Sequence, residues 1–206
     1  MKTLDRFDAL QGFSKEEAMM LEQVRRLSSN LLMLEAQINE DTGTYPFVSL
    51  KALHDLGMNG VCIPEEFGGT PISYKAYLNA VQIISEACSA TGIIYGTTMA
   101  LVHPLKMHGT QDQKNRILSA IANGAIAGIA LTEPHAGSDA ANPKTTFKPD
   151  GDDIIISGSK IFITSGDVAD FLMVFGLWAG EDDHNGKLTA VIVEKGSEGF
   201  NIIGTE

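Results

Sequence analysis

The sequence predicts an α+β protein, in which an N-terminal all-α helical domain is followed by an incomplete antiparallel β domain, either a barrel or a sandwich. Two observations predict this class. Apolar residues recur at helical spacing as far as Gly124, and beyond it short apolar runs alternate with turn residues. The predicted domains are therefore residues 1–124 and residues 125–206. We expect the second domain to be truncated, because residues 200–203 begin another apolar segment just before the last residue.

Five helices are predicted in the first domain. Ser14 and Glu17 have the spacing of a capping box, and the apolar residues that follow them predict one long helix. Four further helices are predicted: from Pro46 to Gly57, from a cap at Ser73 to Cys88, over residues 92–101, and from a capping box of Thr110 and Gln113 to Gly124.

Five strands are predicted in the second domain. Two of them form a hairpin in KTTFKPDGDDIIISG, around the turn at Asp150 and Gly151. The other three are predicted at KIFIT (160–164), at DFLMVFGLW (170–178) and, after an Asn-Gly turn, at KLTAVIVEK (187–195).

Composition excludes several classes of function. The net charge of −11 is opposite in sign to that of a protein that binds nucleic acid. No apolar run reaches the length of a transmembrane segment, so a cytoplasmic location is expected, or the mitochondrial matrix in a eukaryote. Cys62 and Cys88 lie in apolar company and are expected to be buried thiols. His103 and His108 are poorly spaced for a shared ligand, and no metal site is predicted.

The stretch LTEPHAGSDA, residues 131–140, is unlike its surroundings. It combines two hydroxyls, two carboxylates, a proline and a small Ala-Gly pair within ten residues. Such a segment leaves backbone N–H groups without regular partners, and Gly137 allows a ligand to approach the backbone closely. The stretch therefore indicates a binding loop.

Four motifs together resemble the acyl-CoA dehydrogenase family of flavoproteins. They are IPEEFGG (63–69), GTQDQKNRIL (109–118), LTEPHAGSDA (131–140) and GSKIFITSG (158–166), and they occur in the family's order over nearly the whole chain. The resemblance implies an N-terminal helical domain, a middle β domain, FAD as cofactor and acyl-CoA as substrate. The family's C-terminal helical domain has no counterpart in these residues.

The resemblance also assigns residues of LTEPHAGSDA to ligands. The backbone around Leu131 and the hydroxyl of Thr132 would meet the edge of the isoalloxazine ring. Gly137 and Ser138 would meet phosphate or pantetheine groups through exposed N–H groups, which makes Ser138 a residue for both cofactor and substrate. Without the family, Thr132 could simply end a strand, and Ser138 could cap a turn.

In GSKIFITSG the resemblance places an aromatic ring on the flavin at Phe162 and a hydroxyl near flavin N5 at Thr164. If KIFIT is a strand, alternation puts both side chains on one face, as two contacts to one flat ring require. Core packing explains Phe162 equally well without the family. The sequence departs from the family pattern at Ile129, at His135 and at Phe162 itself, where the family more often has Tyr or Phe, a small residue and Trp respectively.

The implied reaction is the α,β-dehydrogenation of an acyl-CoA thioester, with an electron-transfer flavoprotein or a similar acceptor and a homo-oligomeric complete enzyme. The family's Glu base lies in the C-terminal domain, so no catalytic residue is assigned here, and the isolated chain is expected to be inactive. Glu133 is interpreted as a structural residue of its turn. Three alternatives stay open: a non-catalytic flavin- or acyl-CoA-binding or interaction protein, a fragment of an acyl-CoA oxidase, and a fragment of a flavin monooxygenase.

Overall fold

A helical unit that ends at Gly124 is followed by a sheet unit that begins at Ala125. The computed structural model describes residues 12–205. The second unit contains one five-stranded mixed sheet. The α+β class is therefore confirmed, although the sheet is not strictly antiparallel as predicted.

The long first helix is confirmed. It begins as α1 (Lys15–Leu27), continues through a π turn (Ser28–Leu32) and ends as α2 (Met33–Thr42). At its start the side chain of Ser14 accepts a hydrogen bond from the N–H of Glu17, while the Glu17 carboxylate accepts one from the N–H of Ser14. This reciprocal pair satisfies two backbone donors that the first turn of a helix leaves free.

The remaining helices follow the predicted order. They are α3 (Phe47–Asp55), α4 (Tyr74–Ala87), α5 (Ser89–His108), α6 (Gln111–Gln113) and, after a π turn at Lys114–Leu118, α7 (Ser119–Ala122). Ser73 caps α4, and Thr110 and Gln113 form the predicted capping box. Helix α5 is longer than the predicted 92–101, because Cys88 caps it directly after α4 and Pro104 does not end it.

The sheet is organised around one long strand. Its strands are β1 (Ala127–Ala130), β2 (Thr146–Asp150), β3 (Asp153–Ser157), β4 (Phe171–Trp178) and β5 (Leu188–Glu194). Strand β4 is antiparallel to β5 but parallel to both β1 and β2. The predicted β2–β3 hairpin is confirmed, with Asp150 opposite Asp153.

One predicted strand of the sheet was wrong, and one strand was missed. KIFIT is not a strand, because Phe162 (φ 54°) and Ser165 (φ 64°) have left-handed backbone conformations that interrupt an extended chain. Phe162 and Thr164 therefore do not share a strand face. Strand β1 was not predicted at all, since its sequence AGIA is short and half of it consists of alanine.

The core of the sheet unit is centred on Phe147. This ring is fully buried and packs with Ala130, Ala169, Leu172 and Val174. The cluster joins the carboxyl end of β1 to the middle of β4 and the start of β2. It gives the loop that follows β1 a rigid base.

Gly158, directly after β3, provides a test of this packing. A Cβ at this position would lie 2.8 Å from the Cα of Thr145, closer than van der Waals contact allows. We expect Gly158→Ala to lower the free energy of unfolding by about 1–3 kcal/mol through overpacking. Gly204→Ala is the control, because nothing lies within 4 Å of a Cβ there. Urea unfolding measures both, and equal midpoints for the two variants would contradict the close approach.

Candidate functional site

LTEPHAGSDA begins directly after the last residue of β1 and turns back on itself. The N–H of Glu133 donates to the carbonyl of Ala136 at 3.0 Å, and the N–H of Ala136 donates to the carbonyl of Glu133 at 3.1 Å. These two bonds close a tight turn around Pro134 and His135. The Glu133 side chain, 2% exposed, thereby lies under the loop instead of in solvent.

Donors surround the Glu133 carboxylate. It accepts hydrogen bonds from the N–H of Lys144 at 2.7 Å, from the N–H of Thr145 at 3.1 Å and from the Thr145 hydroxyl. The ammonium of Lys160 donates to it at 2.7 Å, and Nε2 of His135 lies 3.6 Å from Oε2. The predicted structural role of Glu133 is confirmed by these contacts.

The same contacts determine the protonation of Glu133. Burial on its own would raise the pKa of this carboxyl. The hydrogen bonds from Lys160, from the Thr145 hydroxyl and from two backbone N–H groups outweigh burial and lower the pKa from 4.5 to about 2. Glu133 is therefore an anion at neutral pH, and four hydrogen bonds hold its carboxylate.

Two hydrogen bonds join this loop to GSKIFITSG. The Lys160 ammonium, besides its bond to Glu133, donates to the carbonyl of Leu131 at 3.0 Å. The N–H of Ile161 donates to the carbonyl of Thr132 at 3.0 Å. Segments that are almost thirty residues apart in sequence thus run side by side just beyond the carboxyl end of β1.

The segment after Phe162 is also held close to β1. A Cβ at Gly128 would lie 2.9 Å from the carbonyl oxygen of Thr164. Only glycine allows this approach without a shift of the backbone. Ser165, next in sequence, is buried, and its carbonyl accepts the N–H of Ala169 at 2.8 Å.

The structure brings four of the six predicted ligand residues together in these two joined segments. Leu131, Thr132 and Thr164 are half-buried there, whereas the Phe162 ring is 71% exposed. Within residues 12–205, the hydroxyls of Thr132 and Thr164 have no hydrogen-bond partner.

Gly137 and Ser138, the other two predicted residues, lie beyond the turn. Both are exposed, and a Cβ at Gly137 would have nothing within 4 Å. Their predicted contact with phosphate or pantetheine groups stays a prediction.

Sequence reasoning missed Lys160 and Thr145. Lys160 stands inside a quoted motif, but its partner Glu133 is 27 residues away, so no local spacing connects them. The one available signal is chemical. A glutamate that is buried in a loop needs donors or a cation as partner, and Lys160 is the lysine of GSKIFITSG, another of the four motifs.

Neither a metal site nor a membrane-spanning helix is found over residues 12–205. These residues contain no group of three or more His, Cys, Asp or Glu side chains that could hold a metal ion. Their helices are all too short or too polar to cross a bilayer.

Comparison with known proteins gives two family matches. The acyl-CoA dehydrogenase N-terminal domain matches residues 14–125, and the acyl-CoA dehydrogenase middle domain matches residues 128–206. An acyl-CoA dehydrogenase of Bacillus subtilis is 35% identical over 92% of this chain and 50% of its own length. A short-chain specific acyl-CoA dehydrogenase of Clostridium acetobutylicum is 34% identical over 93% of this chain and 51% of its own. The chain thus spans about half the length of these curated relatives.

Two solved structures are also similar to this chain, each over at least 90% of its length. A chain from the structure of the electron transferring flavoprotein of Acidaminococcus fermentans has a TM-score of 0.85 and 32% identity, covering 92% of this chain and 50% of that one. An acyl-CoA dehydrogenase of Bacillus anthracis complexed with FAD has a TM-score of 0.79 and 29% identity, covering 90% of this chain and 32% of that one.

The buried ion pair predicts a specific dependence of stability on pH. Because the pKa of Glu133 falls from 4.5 to about 2 on folding, its ionised form adds stability that is fully present above pH 4.5 and is lost as the pH falls towards 2. At neutral pH we expect Glu133→Gln to lower the free energy of unfolding by about 3 kcal/mol, since it leaves the Lys160 ammonium buried without a counter-charge.

The difference between wild type and Glu133→Gln should shrink through the same pH window. Urea unfolding followed by circular dichroism from neutral to acid pH measures it. Glu22→Gln is the control, because Glu22 and Arg26 form an exposed pair, 48% and 65% accessible, whose loss should matter little. A difference that stays constant down to the acid limit would contradict the assignment to this carboxyl.

Proposed function

The chain belongs to the acyl-CoA dehydrogenase family, and on that premise we propose that it forms the flavin-facing part of an FAD-dependent enzyme that dehydrogenates an acyl-CoA thioester between its α and β carbons. One observation carries the proposal. Two hydrogen bonds from Lys160 and Ile161 hold the loop after β1 against GSKIFITSG, so that both predicted flavin motifs lie at one place. The FAD complex of the Bacillus anthracis relative supports the choice of cofactor.

The residues at this place suit a flavin. A flavin ring needs an apolar surface against its face and hydrogen-bond donors at its edge. Phe162 offers an exposed ring, and its left-handed backbone costs energy of the kind that is often stored at ligand sites. Thr132 and Thr164 each keep an uncommitted hydroxyl within residues 12–205. We assign Phe162 to the ring face, and the Leu131 backbone, Thr132 and Thr164 to the ring edge.

Gly137 and Ser138 are assigned to phosphate or pantetheine groups. Both are exposed, and the absence of neighbours around Gly137 leaves its backbone accessible. Exposed N–H groups and a hydroxyl in one turn are suited to anions. Local donors are needed for this purpose because the net charge of the chain is −11.

When bound, FAD would supply the acceptor for the hydride that leaves the β carbon. The chain's own contribution is to bind and orient. The Phe162 ring would exclude water from one face of the flavin, and the hydroxyls of Thr132 and Thr164 would donate hydrogen bonds to the edge of its ring. Such preorganised donors stabilise developing charge without having to reorient.

No residue of this chain is proposed as the base. Glu133 is the buried one of the two acids in LTEPHAGSDA, and its pKa of about 2 makes it a poor proton acceptor at neutral pH. Its four close donors also keep it from a substrate. By the family resemblance, the base belongs to a part of the longer relatives that these 206 residues do not span.

The partners are proposed from the family and from the comparisons. The similarity to a chain of the electron transferring flavoprotein structure supports an acceptor of that kind. We further propose a homo-oligomeric complete enzyme and a cytoplasmic location.

Phe162 provides the test of the cofactor site. We expect Phe162→Ala to weaken FAD binding about tenfold or more. The flavin would lose the apolar side chain against its face, and burying an aromatic side chain contributes about 1.5–3 kcal/mol. The measurement is a titration of flavin fluorescence with the purified chain. Ile155→Ala is the matched control, since Ile155 is 50% exposed in the same unit but lies on β3. Equal loss in both variants, or a wild-type chain that ignores FAD, would contradict the site.

The second test concerns turnover. We expect the chain alone to hold FAD weakly and to oxidise no acyl-CoA, because a positioned base contributes about 10²–10⁴-fold of rate on its own. The assay is acyl-CoA oxidation with an artificial electron acceptor, on the purified chain supplied with excess FAD. Turnover above the rate of free FAD would show that a base lies within these residues and that the assignment of Glu133 must be revised.

A further inference from the structure

We propose that Lys160 is a positioning residue of the flavin site, and that Glu133 and Thr145 act through it. The inference deepens the proposed function and rests on it. Within residues 12–205, the Lys160 ammonium makes one hydrogen bond to a residue assigned to the flavin, which is its bond to the Leu131 carbonyl at 3.0 Å. Its effect on a ligand must therefore be indirect.

The first step of the argument is the geometry of the ammonium. Lys160 is 10% exposed, and its Nζ bridges the Leu131 carbonyl and the Glu133 carboxylate. Both acceptors belong to the loop after β1, at positions on either side of Thr132. The backbone of Thr132 is thus held at both neighbours, which limits the orientations of its hydroxyl.

The second step is that Glu133 fixes the ammonium in turn. Its carboxylate is bound by the N–H groups of Lys144 and Thr145, at the entry to β2. Thr145 is itself tied to β4, since its carbonyl accepts the N–H of Leu177 at 2.8 Å. Lys160 is therefore fixed relative to the central strand β4, through Glu133 and Thr145, and not only relative to the loop.

The third step is that Lys160 is followed directly by the two residues that it would position. Lys160 precedes Ile161, whose N–H donates to the Thr132 carbonyl, and Phe162 follows with its left-handed backbone. If the ammonium loses its anchor, the register between Thr132 and Ile161 loses one of its two supports. Both the Thr132 hydroxyl and the Phe162 ring would then sample other orientations.

A charge-pair cycle separates positioning from plain stability. The variants are Glu133→Gln, Lys160→Met and the double variant, with Lys148→Met as the control because Lys148 is an exposed lysine of β2. Each single variant should unfold more easily, and the double variant should recover most of that loss, since it leaves no buried unpaired charge. The FAD dissociation constant should rise about tenfold in Lys160→Met and should stay raised in the double variant, because the Leu131 carbonyl still lacks its donor.

Recovery of both stability and FAD affinity in the double variant would overturn the proposal, because a purely structural pair predicts that result. Lys160→Arg, which keeps the charge and the donors, should restore part of the affinity. The reduction potential of the bound flavin should shift in Lys160→Met and not in Lys148→Met.

A measurement made without flavin distinguishes the positioning role of Lys160 from the proposed function of the chain. Amide hydrogen exchange of Ile161 should be accelerated more in Lys160→Met than that of Val174, in the centre of β4, where faster exchange reports only the loss of overall stability. An acceleration at Ile161 that is no larger than that at Val174 overturns the positioning role whether or not FAD binds. A wild-type chain that fails to bind FAD overturns the proposed function, and the exchange at Ile161 then decides on Lys160 by itself.

Discussion

The Glu133 carboxylate is charged and almost fully buried, a state that a protein can maintain only if donors surround the charge. The donors here come from two segments, the entry to β2 and the exit from β3. Satisfying one charge therefore joins both segments to the loop after β1. Because a missing donor would leave the carboxylate or the ammonium unpaired, this arrangement tolerates few alternatives, and the loop inherits the rigidity of the sheet.

The sheet places these segments where the carboxylate can join them. Strand β1 runs parallel to β4, so the loop that follows β1 emerges beside the side of β4 that also pairs with β2. Two glycines make the approach close enough. A Cβ at Gly128 would meet the Thr164 carbonyl, and a Cβ at Gly158 would meet Thr145. Beside these contact points, Thr132 stays half-buried and the Phe162 ring is exposed.

The sequence predicted what depends on near neighbours. The capping boxes at Ser14 and at Thr110 and the β2–β3 hairpin are signals that span three to a dozen residues, and all are present. The parallel pairing of β1 with β4 joins residues more than forty positions apart, and alternation within a strand carries no information about the direction of its partner. The prediction of a strand at KIFIT was wrong for a related reason. Its β-branched and aromatic residues favour a strand, but hydrogen bonds to a distant loop and the left-handed Phe162 override that preference.

Under the proposed function, an anchoring carboxylate and a catalytic base make opposite demands on their surroundings. A carboxylate that accepts four hydrogen bonds has a lowered pKa, which makes it a durable anchor and, for the same reason, a weak base. A base that removes a proton from carbon needs the opposite environment, with few donors and a pKa nearer to neutrality. One side chain cannot satisfy both demands. The contacts by which Glu133 helps to hold Leu131, Thr132 and Lys160 in place are thus the contacts that make it a weak base, and under the proposed function the proton acceptor must be a different side chain.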